Sequence, residues 1–273
     1  MSEAELDRVL GALGSVVVAF SGGVDSALLA VRAGRVLGSR ALAVTADSES
    51  LAERQRLMAL RVARENGLAH RVILTRELRD PRYARNDAQR CYFCKTELFR
   101  ELLPLAAREG YAHVAYGLVT DDLSDFRPGQ RAAAEAGVRS PLVDAGLSKA
   151  DVRELSRRMG LPTWDLPASP CLASRVAYGI PVTPAALRQI ERAEAALERL
   201  GFRELRVRHL GSTARIEIAA DELARLADPG LKQAVVAAVR AAGYADVDVD
   251  PRGYRRGSLN AGIGALAAQP ASG

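Results

Sequence analysis

Apolar residues fall in short blocks along the first 160 or so positions, and amphipathic stretches fill the gaps between them. Val16–Phe20, Ala41–Thr45, Arg71–Leu74 and His113–Gly117 read as strands, and Val24–Leu37, Leu51–Asn66, Cys94–Glu109 and Lys149–Met159 read as helices. Asn66-Gly67 and Glu109-Gly110 supply helix stops. Strands alternating with helices predict a Rossmann-like α/β fold: a parallel sheet with helices on both faces and a ligand site at the C-terminal strand ends. Gly160–Pro184 breaks the pattern with Pro162, Pro167, Pro170, Pro181 and Pro184 around Trp164 and Cys171. Beyond it, Pro184–Leu200 and Leu231–Ala242 read as helices, and Leu205–His209, Thr213–Ile218 and Ala245–Val249 as strands, an α+β pattern on a smaller scale. The expected organisation is a first domain over 1–160, an active-site loop and linker over 161–184, a smaller α+β substrate or oligomerisation domain over 185–260, and a flexible tail over 261–273.

Between the first strand and the first helix stands Ser21-Gly22-Gly23-Val24-Asp25-Ser26. Two glycines let the backbone turn tightly and bring its N–H groups to a ligand. The helix that starts there turns its positive end toward the same point, and Ser21 and Ser26 add hydroxyls. This strand, turn and helix form a phosphate cradle. The spacing is neither that of a Walker A loop nor G-x-G-x-x-G. S-G-G-x-D-S resembles the pyrophosphate loop (PP-loop) of the ATP pyrophosphatases, which split ATP between its α and β phosphates.

Composition narrows the class. The chain has 273 residues, 48% of them hydrophobic and 26% charged, ordinary for a globular protein. No stretch approaches the ~20 apolar residues of a membrane span. The start, Met-Ser-Glu-Ala-Glu-Leu-Asp, has no signal-peptide apolar core, so a cytoplasmic location is expected. The net charge of +5 is spread and mixed with acidic residues, without basic runs interleaved with aromatics. That pattern suits anion-binding arginines better than a nucleic-acid surface.

Three cysteines, an odd number, argue against a disulfide framework. Cys91-Tyr92-Phe93-Cys94-Lys95 opens a helix, and spacing of three puts both sulfurs on one face. With Cys171 the set is three thiols lacking an evident fourth ligand, which suits an iron–sulfur cluster with one open iron better than a closed zinc site. Ser174 and Arg175 follow Cys171 closely and would face an anion beside the thiol if the segment turned helical. Gly117-Leu-Val-Thr-Asp121-Asp122-Leu-Ser-Asp125-Phe-Arg127-Pro-Gly129 follows a strand at the same sheet edge as the glycine loop. Its carboxylates suit Mg²⁺ held against a pyrophosphate, and Arg127 suits a substrate carboxylate or phosphate. Arg206 and Arg208 share one strand face.

In the order of these motifs the chain resembles the LarE family, from roughly residue 10 to residue 260. The resemblance is carried by Ser21–Ser26, Cys91–Lys95, Asp121–Gly129, Arg139-Ser-Pro-Leu142, Pro170-Cys-Leu-Ala-Ser-Arg175 with Tyr178-Gly179, and Arg206-Val-Arg208 before Ala214-Arg-Ile-Glu217. It implies an ATP-dependent sulfur transferase that adenylates a carboxylate of a pyridinium dicarboxylate mononucleotide and replaces AMP with sulfur, for a nickel-pincer cofactor. It implies Ser21, Gly22, Gly23, Asp25, Ser26, Ser48 and Gly117 at ATP, with Mg²⁺ at Asp25 and Asp125. Cys91, Cys94, Cys171 and Lys95 would be catalytic, the three cysteines holding a [4Fe-4S] cluster that relays sulfide from an outside source. Arg127, Ser174, Arg175, Glu194, Arg206, Arg208 and Glu217 would hold the nucleotide substrate. A homo-oligomer, trimer or hexamer, is expected on the same ground, with no membrane and no nucleic-acid partner. Other members of the family give up the sulfur of one cysteine, here Cys171. A tRNA thiolase of the same superfamily is the nearest rival, although no RNA-binding domain with its own cysteines is visible. An amide-forming synthetase or a nucleotide sensor leaves the cysteines without work.

Overall fold

The computed structural model describes residues 3–124, 128–168, 170–255 and 258–259. In chain order the elements are α1 (Glu3–Leu13), β1 (Val16–Ala19), α2 (Val24–Leu37), β2 (Ala41–Asp47), α3 (Glu53–Glu65), β3 (His70–Leu74), α4 (Pro81–Ala84), α5 (Arg90–Arg108), β4 (His113–Tyr116), α6 (Pro128–Glu135), α7 (Pro141–Asp144), α8 (Lys149–Arg158), α9 (Pro184–Arg199), β5 (Leu205–Leu210), β6 (Thr213–Ile218), α10 (Ala220–Leu223), α11 (Pro229–Ala241) and β7 (Asp246–Val249). They fall into two units, one of Met1–Glu77 with Cys91–Pro170 and one of Leu78–Arg90 with Cys171–Gly273.

The first unit is the expected α/β layer. Its sheet is parallel, in the order β3-β2-β1-β4. Side chains of β1 alternate as the two-residue period requires: Val16 and Val18 pack in the cluster with α1, α2 and α8, and Val17 in the cluster with α5. In β2, Ala41 and Ala43 go to the first face and Leu42 and Val44 to the second. Both faces are therefore covered by helices, which explains why the strands read as unbroken apolar runs. Because the chain leaves β1 toward β2 and β3 and returns to pair β4 on its other side, the strand order reverses between β1 and β4. In open α/β sheets that reversal opens a crevice at the C-terminal strand ends.

Several elements differ from expectation. Helix α5 begins at Arg90, ahead of the expected Cys94, so both cysteines lie inside its first turns. Helix α1 went unassigned in the sequence, although Leu6, Val9, Leu10 and Leu13 form its buried stripe. Ion pairs from Glu3 and Asp7 to the buried Arg32 of α2 hold it down.

The second unit centres on a three-stranded mixed sheet, β5-β6-β7, with β5 and β6 antiparallel and β6 and β7 parallel. Leu205, Val207, Ala214, Ile216 and Ile218 pack with Leu197 of α9 and Val235 and Val239 of α11. Alternation sends Arg206 and Arg208 to the opposite face, yet both are buried there. Strand β5 is a sheet edge, and its outward groups are taken up: Val207 N donates to Glu194 at 3.0 Å, and Ala177 N donates to the His209 carbonyl at 3.1 Å.

Candidate functional site

The six-residue loop leaves β1 at the strand reversal. Gly22 has φ +76°, and a Cβ there would lie 2.7 Å from the Gln55 carbonyl oxygen, so only glycine lets the turn press on α3. Gly23 is the N-cap of α2 in an extended conformation. The Ser26 hydroxyl donates to the Gly23 carbonyl at 3.1 Å, accepts from Ser21 N at 3.2 Å and lies 3.1 Å from the Ser21 hydroxyl. Ser26 therefore closes the loop on itself.

The facing wall is β4. Register pairs Ala19 with Tyr116, so Gly117 comes level with the loop. A Cβ on Gly117 would stand 2.8 Å from Ser26 N and 2.9 Å from the Asp25 carbonyl carbon, so glycine here is a packing requirement. Ser21, Gly23, Asp25, Ser26, Lys95 and Gly117 thus line one hollow of about 170 Å³, floored by Phe20 and Tyr116. The Lys95 ammonium lies 5.7 Å from the centre of the Tyr116 ring.

Lys149, which carries no functional signal in the sequence, reaches Asp25 of the loop. Its Nζ donates to both Asp25 oxygens, at 2.7 and 2.6 Å. Lys149 is the first residue of α8, whose start is fixed by a Ser148–Asp151 capping box, and its own N–H donates to Asp121 at 2.9 Å. The sequence signal, Ser148-Lys149-x-Asp151, reads as a helix start and carries no hint of a partner 124 positions away.

Ser48, expected at the nucleoside, donates to the buried Glu77 carboxylate at 2.6 Å and does not line the hollow. Asp125 and Arg127 lie outside the described residues.

Cys91 is exposed and Cys94 half-buried on α5, and neither is in a disulfide. Helix α6 packs against this turn. A Cβ on Gly129 would stand 3.0 Å from Lys95 Cγ and 3.3 Å from the Cys91 carbonyl oxygen, and Arg131 stacks 4.3 Å from the Tyr92 ring centre. Among the described residues no three His, Cys, Asp or Glu side chains stand close enough together to hold a metal ion. Cys91 and Cys94 belong to the first unit and Cys171 to the second.

In the second unit Cys171, half-buried, precedes a 3₁₀ turn over Leu172–Arg175. Arg175 is fully buried and its Nε and Nη2 donate to Glu194 at 3.0 and 3.1 Å; Nη1 donates to the Cys171 carbonyl at 3.2 Å and the Ser174 hydroxyl at 3.1 Å. Its charge is thus turned toward Glu194. Burial pushes the Glu194 carboxyl up. The charge and hydrogen bonds of Arg175, the Arg206 charge and the Val207 N–H outweigh this and hold it below the usual carboxylate range. Arg208 donates to Glu217 at 2.7 Å, to Ser258 at 2.9 Å and to the Ser174 carbonyl at 3.2 Å. Arg206 stacks 4.8 Å from the Tyr254 ring centre. The structure therefore gathers Ser174, Arg175, Glu194, Arg206, Arg208 and Glu217 in one unit, with Tyr254 and Ser258 as neighbours the sequence reading missed.

Fold and loop define the class, an open parallel α/β protein with an anion cradle at its strand reversal. No protein-family model matches the chain. It is 35% identical over 260 residues to the pyridinium-3,5-bisthiocarboxylic acid mononucleotide synthase of Lactiplantibacillus plantarum, covering 94% of this chain and 93% of that protein. It is 42% identical to an uncharacterized protein of Synechocystis sp., over 95% of this chain and 98% of that one, and 27% identical to an uncharacterized protein of Methanocaldococcus jannaschii, over 88% and 90%. The chain belongs to the LarE family, that of the L. plantarum synthase. No helix among the described residues is long and apolar enough to cross a membrane.

Proposed function

We propose that this chain is an ATP-dependent sulfur transferase that adenylates a carboxylate of pyridinium-3,5-biscarboxylic acid mononucleotide and replaces AMP with sulfur, giving a thiocarboxylate for a nickel-pincer cofactor. The observation that carries the reading is the Ser21–Ser26 cradle at the strand reversal, in a chain that aligns along 94% of its length with a synthase named for this product. A substrate carboxylate oxygen attacks the α-phosphorus, the bond to the bridging oxygen breaks, and pyrophosphate leaves. The α2 N-terminus, Ser21, Lys95 and Lys149 stabilise the charge on the departing pyrophosphate. Asp25, released from Lys149, would hold Mg²⁺ together with Asp125, which lies outside the described residues, and the ion would supply positive charge for the phosphates. Arg206 and Arg208 position the anionic substrate. Sulfur then takes the place of AMP at the acyl carbon.

Cys91, Cys94 and Cys171 would hold a [4Fe-4S] cluster, which when bound supplies an open iron to carry exogenous sulfide. A second reading, in which Cys171 itself gives up its sulfur, rests on Cys171 being a thiol outside any disulfide, half-buried at the start of the Leu172–Arg175 turn. Anaerobic reaction with ATP, Mg²⁺, sulfide and the dicarboxylate separates them. The first reading expects AMP, pyrophosphate and repeated thiocarboxylate formation, with Cys171 intact. The second expects one turnover per chain and a loss of about 34 Da, H₂S, at Cys171, outside the usual oxidation ladder. Release of ADP and phosphate sinks both. The assembly expected is a trimer or hexamer, to be read by light scattering.

A further inference from the structure

The segment 78–90 belongs to the second unit although the first unit continues on either side of it. It ends in two buried polar side chains, Asn86 and Arg90. Asn86 is the sole described non-glycine residue with a positive φ, +60°. Asparagine tolerates that conformation better than most side chains. Its Nδ2 donates to the carbonyls of Val176 at 3.3 Å, Ala177 at 2.8 Å and Ile180 at 2.8 Å, and its own carbonyl accepts from Gly179 N at 3.4 Å. Arg90 Nη1 donates to the Asn86 side-chain oxygen and to the Ala173 carbonyl, the latter at 2.9 Å, and the guanidinium lies 5.5 Å from the Tyr178 ring centre.

These bonds have a common target. They hold the backbone of residues 173–180, directly after Cys171, by its carbonyl oxygens. In an ordinary surface loop water satisfies such carbonyls. Here buried side chains from a separate segment of chain do so, which leaves the loop few ways to move. Arg90 is also the residue immediately before Cys91, so the guanidinium that grips Ala173 is anchored on the chain that carries the C-x-x-C pair.

We propose that Asn86 and Arg90 are positioning residues for Cys171: together they fix the loop after it, so that the thiol is presented in one geometry for sulfur transfer. The inference rests on the sulfur-transferase reading for its purpose, and its test separates the two. Three variants are compared with the full-length wild type. Arg90→Met removes the donors at similar length, Arg90→Lys keeps one charged donor, and Asn86→Gly keeps the positive φ while removing the amide. Iodoacetamide alkylation of Cys171 is followed by peptide mass spectrometry, with hydrogen exchange of the peptide covering 171–182 and steady-state thiocarboxylate formation.

In Arg90→Met and Asn86→Gly, Cys171 alkylation and exchange of its peptide are each expected to rise about fivefold or more. The kcat for thiocarboxylate is expected to fall about tenfold or more at unchanged KM for ATP, since displacing a reacting group by an ångström has costs of this size. Arg90→Lys is expected to restore alkylation to within about threefold of wild type, because one ammonium can still hold the Ala173 carbonyl. Folded variants whose Cys171 alkylation stays within about twofold of wild type overturn the proposal, as does Arg90→Lys behaving like Arg90→Met. If Arg90→Met does not fold, Arg90→Lys and Asn86→Gly still decide it. If wild type makes no thiocarboxylate, the functional reading fails while alkylation and exchange still judge the positioning.

Discussion

Removing Lys149 is the sharpest test of the phosphate cradle. In the ligand-free chain its ammonium lies 2.6 and 2.7 Å from the two Asp25 oxygens at the rim of the loop hollow. The loop has no lysine of its own, so the cations that would balance phosphate charge there come from other elements, Lys95 of α5 and Lys149 of α8. A charge-assisted hydrogen bond to phosphate contributes about 1.5–3 kcal/mol. Binding first requires Lys149 to leave Asp25, and an ion pair whose partners are 32% and 23% exposed is worth no more than about 1 kcal/mol. The net is roughly 0.5–3 kcal/mol, so Lys149→Met should weaken ATP binding by more than about twofold and by up to about 150-fold. Calorimetric titration of ATP with Mg²⁺ at fixed ionic strength reads this directly, and the urea midpoint of the ligand-free variant should barely move. ATP affinity within about twofold of wild type in a folded Lys149→Met would refute the assignment of this charge to the nucleotide. Lys149→Arg is expected to fall between the two.

Gly117→Ala should disturb the same loop sterically: with a Cβ 2.8 Å from Ser26 N, the backbone must shift at a cost of about 1–3 kcal/mol, visible as a lower Tm and weaker ATP binding. Glu194→Gln removes the carboxylate that two nitrogens of the buried Arg175 meet and should cost about 3–5 kcal/mol in urea unfolding; a loss under about 1 kcal/mol would show that the pair does not anchor the fold. Because the folded-state pKa of Glu194 is lowered, its contribution is fully present above the ordinary glutamate value of about 4.3 and drains away as pH falls through the folded value, so Glu194→Gln should flatten the acid limb of stability against pH. Arg206→Ala should weaken binding of the dicarboxylate nucleotide about tenfold or more while sparing ATP, and tight salt-sensitive tRNA binding by wild type would favour the thiolase rival instead.

What the sequence shows of this molecule is what local chemistry dictates. The run from Val16 to Ser26 is legible because an apolar strand, a glycine turn and a helix start each have their own residue signature, and here they occur in register. Gly117 follows a strand in the sequence, and the structure shows what requires glycine there, a backbone contact that excludes a Cβ. The parts that stayed hidden depend on partners far along the chain. Lys149 looks like any helix-start lysine until α2 and α8 are folded together. The hydrogen bond from Ser48 to the buried Glu77 joins residues 29 positions apart and has no local signature. The positive φ of Asn86 has no sequence signature that would set it apart from an ordinary turn asparagine. The pairing within the arginine cluster is equally hidden: an arginine taken out of water needs a countercharge, and Glu194 and Glu217 supply it for Arg175 and Arg208 from other elements. Arg206 and Arg208 project from the same face of β5, and they are the pair proposed to position the anionic substrate. A ligand that binds the folded chain and not the unfolded one stabilises it according to its affinity and concentration. Substrate binding should therefore raise the stability of the second unit and suppress its hydrogen exchange, and should do so less in Arg206→Ala; equal protection in wild type and Arg206→Ala would remove Arg206 from the substrate site.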